Sequence, residues 1–458
     1  MAGAMRALGL GGKIGYGIGD FGLNLYWQSI LLFIVFFHVD MLGLSAWEAG
    51  ICFFIVGVWD AIMDPLVGML SDRARGRLFD RMGRYRPFIL LGAVPLGLAF
   101  TFCFYPPSWL SPGTSGMLAF ALISHMLLRS AYSVVGIPYS SLTAAITRDA
   151  DERASLTGWR MLFAFSGAMT VSAMLPLLAE YFAAGGGGNG YGPAAAITAA
   201  TATLALLACG AAVRERGRGL AGGDSAPPPL AGFFPAVMRN GPLLRVMAAT
   251  VLVHVSLGLL MRNLPYLFKY DLGNASLSGI ALPWLTAAGV VSVPAWVALA
   301  KWRSKRDCWL IGSAMTAVGC LGLPLLHGLW PTLVCLTIIF IGHTAHAVAG
   351  WSMLPDAVDF GEWRCRRRDE AKIYGGASCM TKLAVGASGI VSGWALALVG
   401  FMPNVEQAAE TVEGFRLLAG LLPSLGMLAS MVVIWGYPLD AARHRRIRTF
   451  LGRRQPAL

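Results

Sequence analysis

The chain has 458 residues, 56% of them hydrophobic and only 13% charged, with a formal net charge of +12 and a mean hydropathy of +0.62. Soluble domains are about a quarter charged, so this composition excludes a soluble enzyme or scaffold and leaves a membrane protein. The basic excess does not indicate nucleic acid, because it is confined to alternate loops: "SDRARGRLFDRMGRYRP" holds six Arg, whereas "HVDMLGLSA", "YPPSWLSPGTS", "AAGGGGNGYGP" and "LHGLWP" hold no Lys or Arg.

That alternation follows the positive-inside rule. Apolar runs of about 20 residues, each long enough to cross a bilayer as a helix, recur along the whole chain. Together they predict about twelve spans in the inner (plasma) membrane, with both termini cytoplasmic. In chain order the spans are expected near 14–38, 47–70, 87–105, 115–146, 159–183, 193–213, 242–268, 276–300, 308–326, 332–355, 374–401 and 413–438. "MAGAMRALGLGGK" is too short and Gly-rich for a cleaved signal peptide, so the first span is expected to serve as its own signal. The eight cysteines are scattered, mostly through apolar runs, without a CxxC pair. They read as small packing residues, not as a disulfide or metal framework.

The first span carries Asp20 and Asn24 in "YGIGDFGLNLYW". They lie four apart on one helix face, among glycines that permit close helix approach. They would either line a cavity or form a local interhelical hydrogen bond. The second span carries Asp60 and Asp64 in "IVGVWDAIMDPLVG", again four apart. An ionised carboxylate at bilayer depth is costly. Two on one face, followed by the helix-perturbing Pro65, suit a hard cation or a proton. The alternative is that each pairs with a buried Arg or Lys and only holds helices together.

The fourth span aligns His125, Arg129, Tyr132 and Gly136 on one face. Arg129, near mid-span, needs an acidic partner, a water-filled cavity or an anionic ligand. It would either pair with Asp60 or Asp64, or meet substrate. Arg160 opens the fifth span. The segment 214–241, "RERGRGLAGGDSAPPPLAGFFPAVMRNG", is polar, basic and rich in Gly and Pro, and reads as a cytoplasmic linker. It separates six-span bundles at 1–213 and 242–440, and a basic tail follows at 441–458. His254 and Arg262 fall on the seventh span. His343 and His346 fall on the tenth; such histidines read as hydrogen-bonded core residues. Lys382, a lone amine in the eleventh span, would be neutral, paired or substrate-facing.

Two cytoplasmic segments mix acids with clustered Arg: "DRMGRYRP", with Arg84 and Arg86, and "LPDAVDFGEWRCRRRDE", with Asp356, Asp359 and Glu362. With Arg160 they are assigned to a charge network that holds one access state. The plainer role for any one Arg is to set topology. The expected fold is an all-α membrane protein of twelve transmembrane helices in two six-helix bundles, the major facilitator architecture.

"YGIGDFG", "WDAIMDPLVG", "GRYRP", "GIPYSSL" and "LPDAVDFGEW" occur in an order and spacing that resembles the glycoside–pentoside–hexuronide:cation symporters, the family of the melibiose carrier. The resemblance spans nearly the whole chain, and "WDAxxDP" combined with "DxVDxGEW" is its most specific part. It implies sodium- or proton-coupled sugar import by alternating access, with no cofactor beyond the coupling ion. It implies a cation site at Asp60 and Asp64, which would be the ligands of a sodium ion. It matches Lys382 and Tyr132 to a lysine and a tyrosine of the family.

Two positions depart from the family pattern. The acids of the first and fourth spans that hold sugar in the melibiose carrier fall at Asn24 and Gly136. A cavity that has lost carboxylates and gained Arg129 suits an anion. The expected activity is therefore import of a glycoside, uronide-like and anionic, at Asp20, Asn24, Arg129, Tyr132, Gly136 and Lys382. Protons are favoured over sodium, because the fourth-span carboxylate is missing from the ion site and a carboxylate pair alone can still take a proton. The rivals are a lysophospholipid symporter of the same fold and a sugar sensor that does not transport. No motif for nucleophilic or metal catalysis points to an enzyme. The expected partners are the small glycoside or uronide and the lipid bilayer, with a monomer as the expected state.

Overall fold

The computed structural model describes residues 9–147, 150–185, 189–213, 215, 240–274, 277–365, 370–403, 405–439 and 441–452. Among the described residues there is no strand, and twelve helices are long and apolar enough to cross a membrane. In chain order the helices are α1 (Leu10–Asp40), α2 (Ala46–Arg73), α3 (Arg77–Met82), α4 (Arg86–Cys103), α5 (Ser115–Ile146), α6 (Ala150–Ala184) and α7 (Tyr191–Ala212). They continue as α8 (Gly241–Tyr266), α9 (Leu277–Trp302), α10 (Lys305–Leu325), α11 (Leu329–Cys365), α12 (Glu370–Leu398), α13 (Ala409–Trp435) and α14 (Ala441–Gly452). A π-helical segment, Leu267–Asp271, carries α8 one turn further.

Ten of these helices begin and end within a few residues of the expected spans. The other two overrun them: α6 starts at Ala150 and α11 runs on to Cys365. The apolar run marks only the part inside lipid, whereas i→i−4 hydrogen bonding continues through polar sequence such as "DAVDFGEWRC". Two short helices were expected as loop or tail. One is α3 in the Arg-rich loop, which starts after Gly76 (φ 124) and ends at Gly83 (φ 95), two backbone conformations that glycine permits. The other is α14 in the basic tail. The expected linker lies outside the described residues except for Glu215, Asn240 and Gly241. The seven cysteines with described side chains are all free.

Contacts group the chain into two units, Met1–Ala226 with Ala275–Pro283, and Pro227–Asn274 with Trp284–Leu458. In the first, α1 packs on α6 and α7, α4 on α5 and α7, and α2 on α5. The glycines of α1 make these approaches possible. A Cβ on Gly19 would stand 2.4 Å from the Tyr139 ring of α5, and one on Gly22 would stand 2.8 Å from the Ala202 carbonyl oxygen of α7. Stripes such as Ile62, Leu66 and Leu70 on α2, and Leu91, Val94 and Leu98 on α4, stay exposed, as apolar faces turned to lipid do. Ser45 and Glu48 form a capping box at the start of α2.

In the second unit, α10 packs on α11 and α13, while α12 and α13 pack on α8. Arg416 of α13 donates to both Asp271 oxygens (2.9 and 2.6 Å) and to the carbonyls of Leu323 and Leu326 (2.8 and 2.9 Å). One guanidinium thus neutralises a buried acid and satisfies carbonyl oxygens at the end of α10, which have no intrahelical partner.

Candidate functional site

The first unit brings together charged side chains from four membrane-spanning helices, α1, α2, α5 and α6. Asp60, 2% exposed, lies on α2 and receives a hydrogen bond from Nη2 of Arg129 on α5, itself 5% exposed. One turn along each helix, the Ser133 hydroxyl donates to Asp64 Oδ1 at 2.6 Å and lies 3.3 Å from Asp60 Oδ1. Trp59 Nε1 donates to Ser130 Oγ at 2.9 Å. The α2–α5 contact is therefore polar along its length, and α2 runs through Pro65 without a break. The guanidinium of Arg129 also stacks on rings, 4.6 Å from the centre of Trp27 and 5.2 Å from that of Tyr132. Its Nη1 is buried without a hydrogen-bond partner. Of the two sequence readings for Arg129, this arrangement contains the ion pair with Asp60.

A second pair lies across α1 and α6. Arg160 Nε donates to Asp20 Oδ2 at 2.5 Å, and Nη2 lies 3.5 Å from Oδ1. The Arg160 guanidinium rests over Tyr139 (5.0 Å) and Tyr16 (5.8 Å), whose rings are stacked with centroids 5.0 Å apart. Arg160, expected in the cytoplasmic network, is instead the partner of Asp20. Its place near the start of the expected span hid this, because α6 begins more than two turns earlier. Asn24 donates to the Asp20 carbonyl at 2.9 Å, a bond within its own helix and not between helices. Gly136 is buried, and a Cβ there would meet the Tyr132 ring at 3.4 Å, an ordinary contact. Tyr132 lies within electrostatic reach of Arg129, Asp20, Asp60 and Arg160, linking the two pairs.

With all five groups ionised, Asp20, Asp60 and Asp64 carry −3 and Arg129 and Arg160 carry +2, so the cluster sums to −1. Ser133, Trp27, Tyr16 and Tyr139 were not singled out from the sequence. Helical spacing alone could have flagged them: Ser133 follows Arg129 by four, Tyr139 follows Gly136 by three, Tyr16 precedes Asp20 by four and Trp27 follows Asn24 by three.

The remaining candidates fall elsewhere. Arg84 and Arg86 sit where the Glu215 carboxylate accepts the backbone N–H groups of Arg84, Tyr85 and Arg86 (2.7, 2.6 and 3.0 Å). The Arg86 guanidinium caps the Gly210 carbonyl near the end of α7. In the second unit Asp356 pairs with Lys305 (2.6 Å), and His444 of α14 lies 3.5 Å from Asp356 and 3.0 Å from Asp359. Glu362 is half-buried one turn on, and Lys382 is half-buried on α12. Arg262 donates to Gly258 O, Ser388 Oγ and Val385 O, tying α8 to α12. His346 of α11 lies 2.8 Å from Ser313 Oγ, and His254 Nδ1 lies 2.8 Å from Thr250 O, as hydrogen-bonded core residues would. Among the described residues no group of three or more His, Cys, Asp or Glu is placed to hold a metal ion.

Comparison with known proteins places this geometry in context. The family model described as MFS/sugar transport protein matches residues 15–441. The "Glucuronide carrier protein homolog" of Escherichia coli K12 is 26% identical over 95% of this chain and 93% of its own. The "Inner membrane symporter YicJ" of the same strain is 26% identical over 93% and 91%. A Salmonella typhimurium LT2 protein provisionally named a sulfoquinovose importer is 29% identical over 95% and 91%. Among solved structures, a bacterial homolog of the human lysosomal transporter Spinster superposes with a TM-score of 0.65 at 16% identity, covering 98% of each chain. The nucleoside transporter NupG gives 0.64 at 13% identity, covering 93% of this chain and 100% of its own. These structures share the fold alone. The motifs, the twelve spans and the match over nearly the whole length make this chain a member of the MFS/sugar transport protein family, of the glycoside–pentoside–hexuronide:cation symporter type.

Proposed function

We propose that the protein imports an anionic sugar, a uronate or a sulfonate, together with one monovalent cation, by alternating access. The observation that carries the anion is Arg129. Its guanidinium neutralises Asp60 through one edge, lies on two aromatic rings and keeps Nη1 buried without an acceptor. A carboxylate or sulfonate oxygen is the natural partner for such a donor. Trp27 and Tyr132 offer apolar faces beside it. Two relatives bear names for glucuronide and sulfoquinovose, both charged sugars. The cation is assigned to the α2 acids, Asp60 and Asp64, which lie one turn apart and share the Ser133 hydroxyl. Binding there would change the relative stability of the outward-open and inward-open states, which is the thermodynamic content of coupling. The alternation of basic and bare loops supports a cytoplasmic location for both termini.

Proteoliposome uptake of methyl β-D-glucuronide, of sulfoquinovose and of neutral methyl β-D-glucoside tests this. A charged sugar should accumulate against its gradient. Asp60→Asn and Asp64→Asn should abolish accumulation while leaving exchange. Arg129→Gln should weaken glucuronide binding about tenfold or more, the loss of one charge-assisted hydrogen bond. Preferential uptake of the neutral glucoside would refute the anionic substrate.

A further inference from the structure

We infer that His254 of α8 and His343 of α11 form a hydroxyl-binding site in the second unit, one that recognises the ring hydroxyls of a sugar and not its charge. The inference rests on the proposed function only in taking a sugar as the ligand. It concerns another unit than Arg129 and another part of that ligand.

Three histidines of this unit lie together. His343 is within electrostatic reach of His254 and His346, its ring centroid stands 5.7 Å from that of His346, and α8 packs on α11. Hydrogen bonds fix which nitrogen carries the proton. In His346, Nδ1 lies 3.1 Å from the His343 carbonyl oxygen. A carbonyl only accepts, so Nδ1 holds the proton and Nε2 is a bare acceptor. The Ser313 hydroxyl, 2.8 Å away, donates to it. His346 is thereby satisfied, and it is closed off at 5% exposure.

His254 repeats the first half of this arrangement and lacks the second. Its Nδ1 lies 2.8 Å from the Thr250 carbonyl oxygen, so Nε2 is again a bare acceptor. Among the described residues that carbonyl is the ring's only hydrogen-bond partner. His343 keeps Nδ1 buried without a hydrogen-bond partner, and both rings are half-buried. His254 lies thirteen residues after Gly241 and seventeen before Asp271 in its span, and His343 fourteen after Leu329 and twenty-one before Arg364. Unmatched imidazole nitrogens this far inside a span are not turned to hydrocarbon, where nothing can hydrogen-bond. They face water or a ligand.

The nitrogens define that ligand. His254 Nε2 needs a donor. A neutral His343 has one N–H and one bare nitrogen, so it needs an acceptor and a donor. A carboxylate or sulfonate offers acceptors only, and an ammonium group donors only. A hydroxyl offers both, and the neighbouring hydroxyls of a sugar ring offer them in pairs. The bond that Ser313 makes to His346 is the same pairing made within the protein.

The test uses the purified full-length protein at about pH 8, above the ordinary titration range of histidine. The probes are methyl β-D-glucuronide, sulfoquinovose and methyl β-D-glucoside, with binding followed by calorimetry. His254→Phe and His343→Phe keep a flat ring and remove the nitrogens. Each should weaken every probe that wild type binds by about fivefold, the loss of one neutral hydrogen bond, so that the ranking of charged against neutral sugars is kept. Arg129→Gln should change that ranking. His254→Gln, whose amide oxygen can accept in place of Nε2, should recover most of the affinity. Among the 2-, 3- and 4-deoxy forms of the tightest probe, one should bind His343→Phe as well as it binds wild type.

Phenylalanine variants with unchanged affinity for the glucuronide, or with losses confined to charged sugars, would overturn the inference and leave the anionic substrate standing. Preference for the glucoside, lost in His343→Phe, would uphold the inference and refute the anionic substrate. If the phenylalanine variants do not survive purification, diethyl pyrocarbonate labelling of wild type, mapped by mass spectrometry, decides. A saturating probe should slow modification of His254 and His343 at least fivefold. Histidines that resist the reagent without sugar, or react alike with and without it, would overturn the inference. A wild type that binds none of the three probes would remove the proposed function and the inference with it.

Discussion

Arg160 on α6 and Asp20 on α1 form an ion pair with Nε 2.5 Å from Oδ2, laid on the stacked rings of Tyr16 and Tyr139. It joins three helices at one point, because Tyr139 belongs to α5 and its hydroxyl donates to the Tyr16 carbonyl at 2.8 Å. Both side chains are largely shielded, with 20% and 11% exposure. Removing one partner strands the other charge. Asp20→Asn is expected to destabilise the protein by about 3 kcal/mol, in the range found when a buried pair is broken on one side. The neutral double variant Asp20→Asn with Arg160→Gln should lose less than the sum of the singles. Thermal unfolding in detergent checks this; additive losses would show that the two residues act independently.

Gly136 offers a test of the anionic substrate. Its Cβ position is sterically ordinary, 3.4 Å from the Tyr132 ring, so Gly136→Ala and Gly136→Asp should both fold. The aspartate adds a negative charge on the face that bears Arg129. Affinity for a glucuronide should fall about tenfold or more, equivalent to about 1.4 kcal/mol of repulsion, while the alanine variant binds as wild type. Equilibrium competition against methyl β-D-glucuronide measures both.

Gly19 tests the close packing of α1. A Cβ there would collide with the Tyr139 ring at 2.4 Å and with Cys209 Sγ at 2.8 Å. Gly19→Val should cost about 1–3 kcal/mol and, by displacing Tyr139, should also loosen the Arg160 pair resting on it. Gly68→Ala is the control. Its Cβ would meet only Ile137 at 3.8 Å, and the change should be neutral or slightly stabilising. Yield and thermal unfolding separate the two.

Arg416→Gln should be among the most damaging single changes in the second unit. It leaves Asp271 charged and 8% exposed without its guanidinium, and it deprives two carbonyls of their donors. The expected loss is about 3–5 kcal/mol, partly recovered in Asp271→Asn with Arg416→Gln. Denaturation followed by tryptophan fluorescence provides the measurement. Equal stability of single and double variants would assign the loss to the carbonyls instead.

Much of the architecture was legible because lipid imposes it. Twelve apolar runs had to be twelve helices, and the alternation of basic loops ordered them. What hydropathy could not show was where helices leave the apolar run, so the extensions of α6 and α11 and the short α3 and α14 were hidden in polar sequence. Within the site, helical spacing alone paired Asp60 with Asp64 and aligned Arg129 with Tyr132 and Gly136. Period within a helix says nothing of which face meets which neighbour. Ser133 and the Asp20–Arg160 pair therefore emerged only with the packing of α1, α2, α5 and α6. Arg160 shows the same limit: its pairing with Asp20 is hidden because a charge near the edge of an apolar run reads as cytoplasmic until the helix is seen to begin earlier, at Ala150.

Summed as ionised groups, Asp20, Asp60, Asp64, Arg129 and Arg160 carry one negative charge in excess, and this bears on bioenergetics. On the proposed stoichiometry of one monovalent cation per monoanionic sugar, loading would leave that charge unchanged. The cycle would then move no net charge across the bilayer, so the membrane potential, worth about 2.3 kcal/mol per charge per 100 mV to an electrogenic carrier, would do no work on it. The steady-state enrichment of the sugar would follow the concentration ratio of the coupling cation alone, however strongly the membrane is polarised.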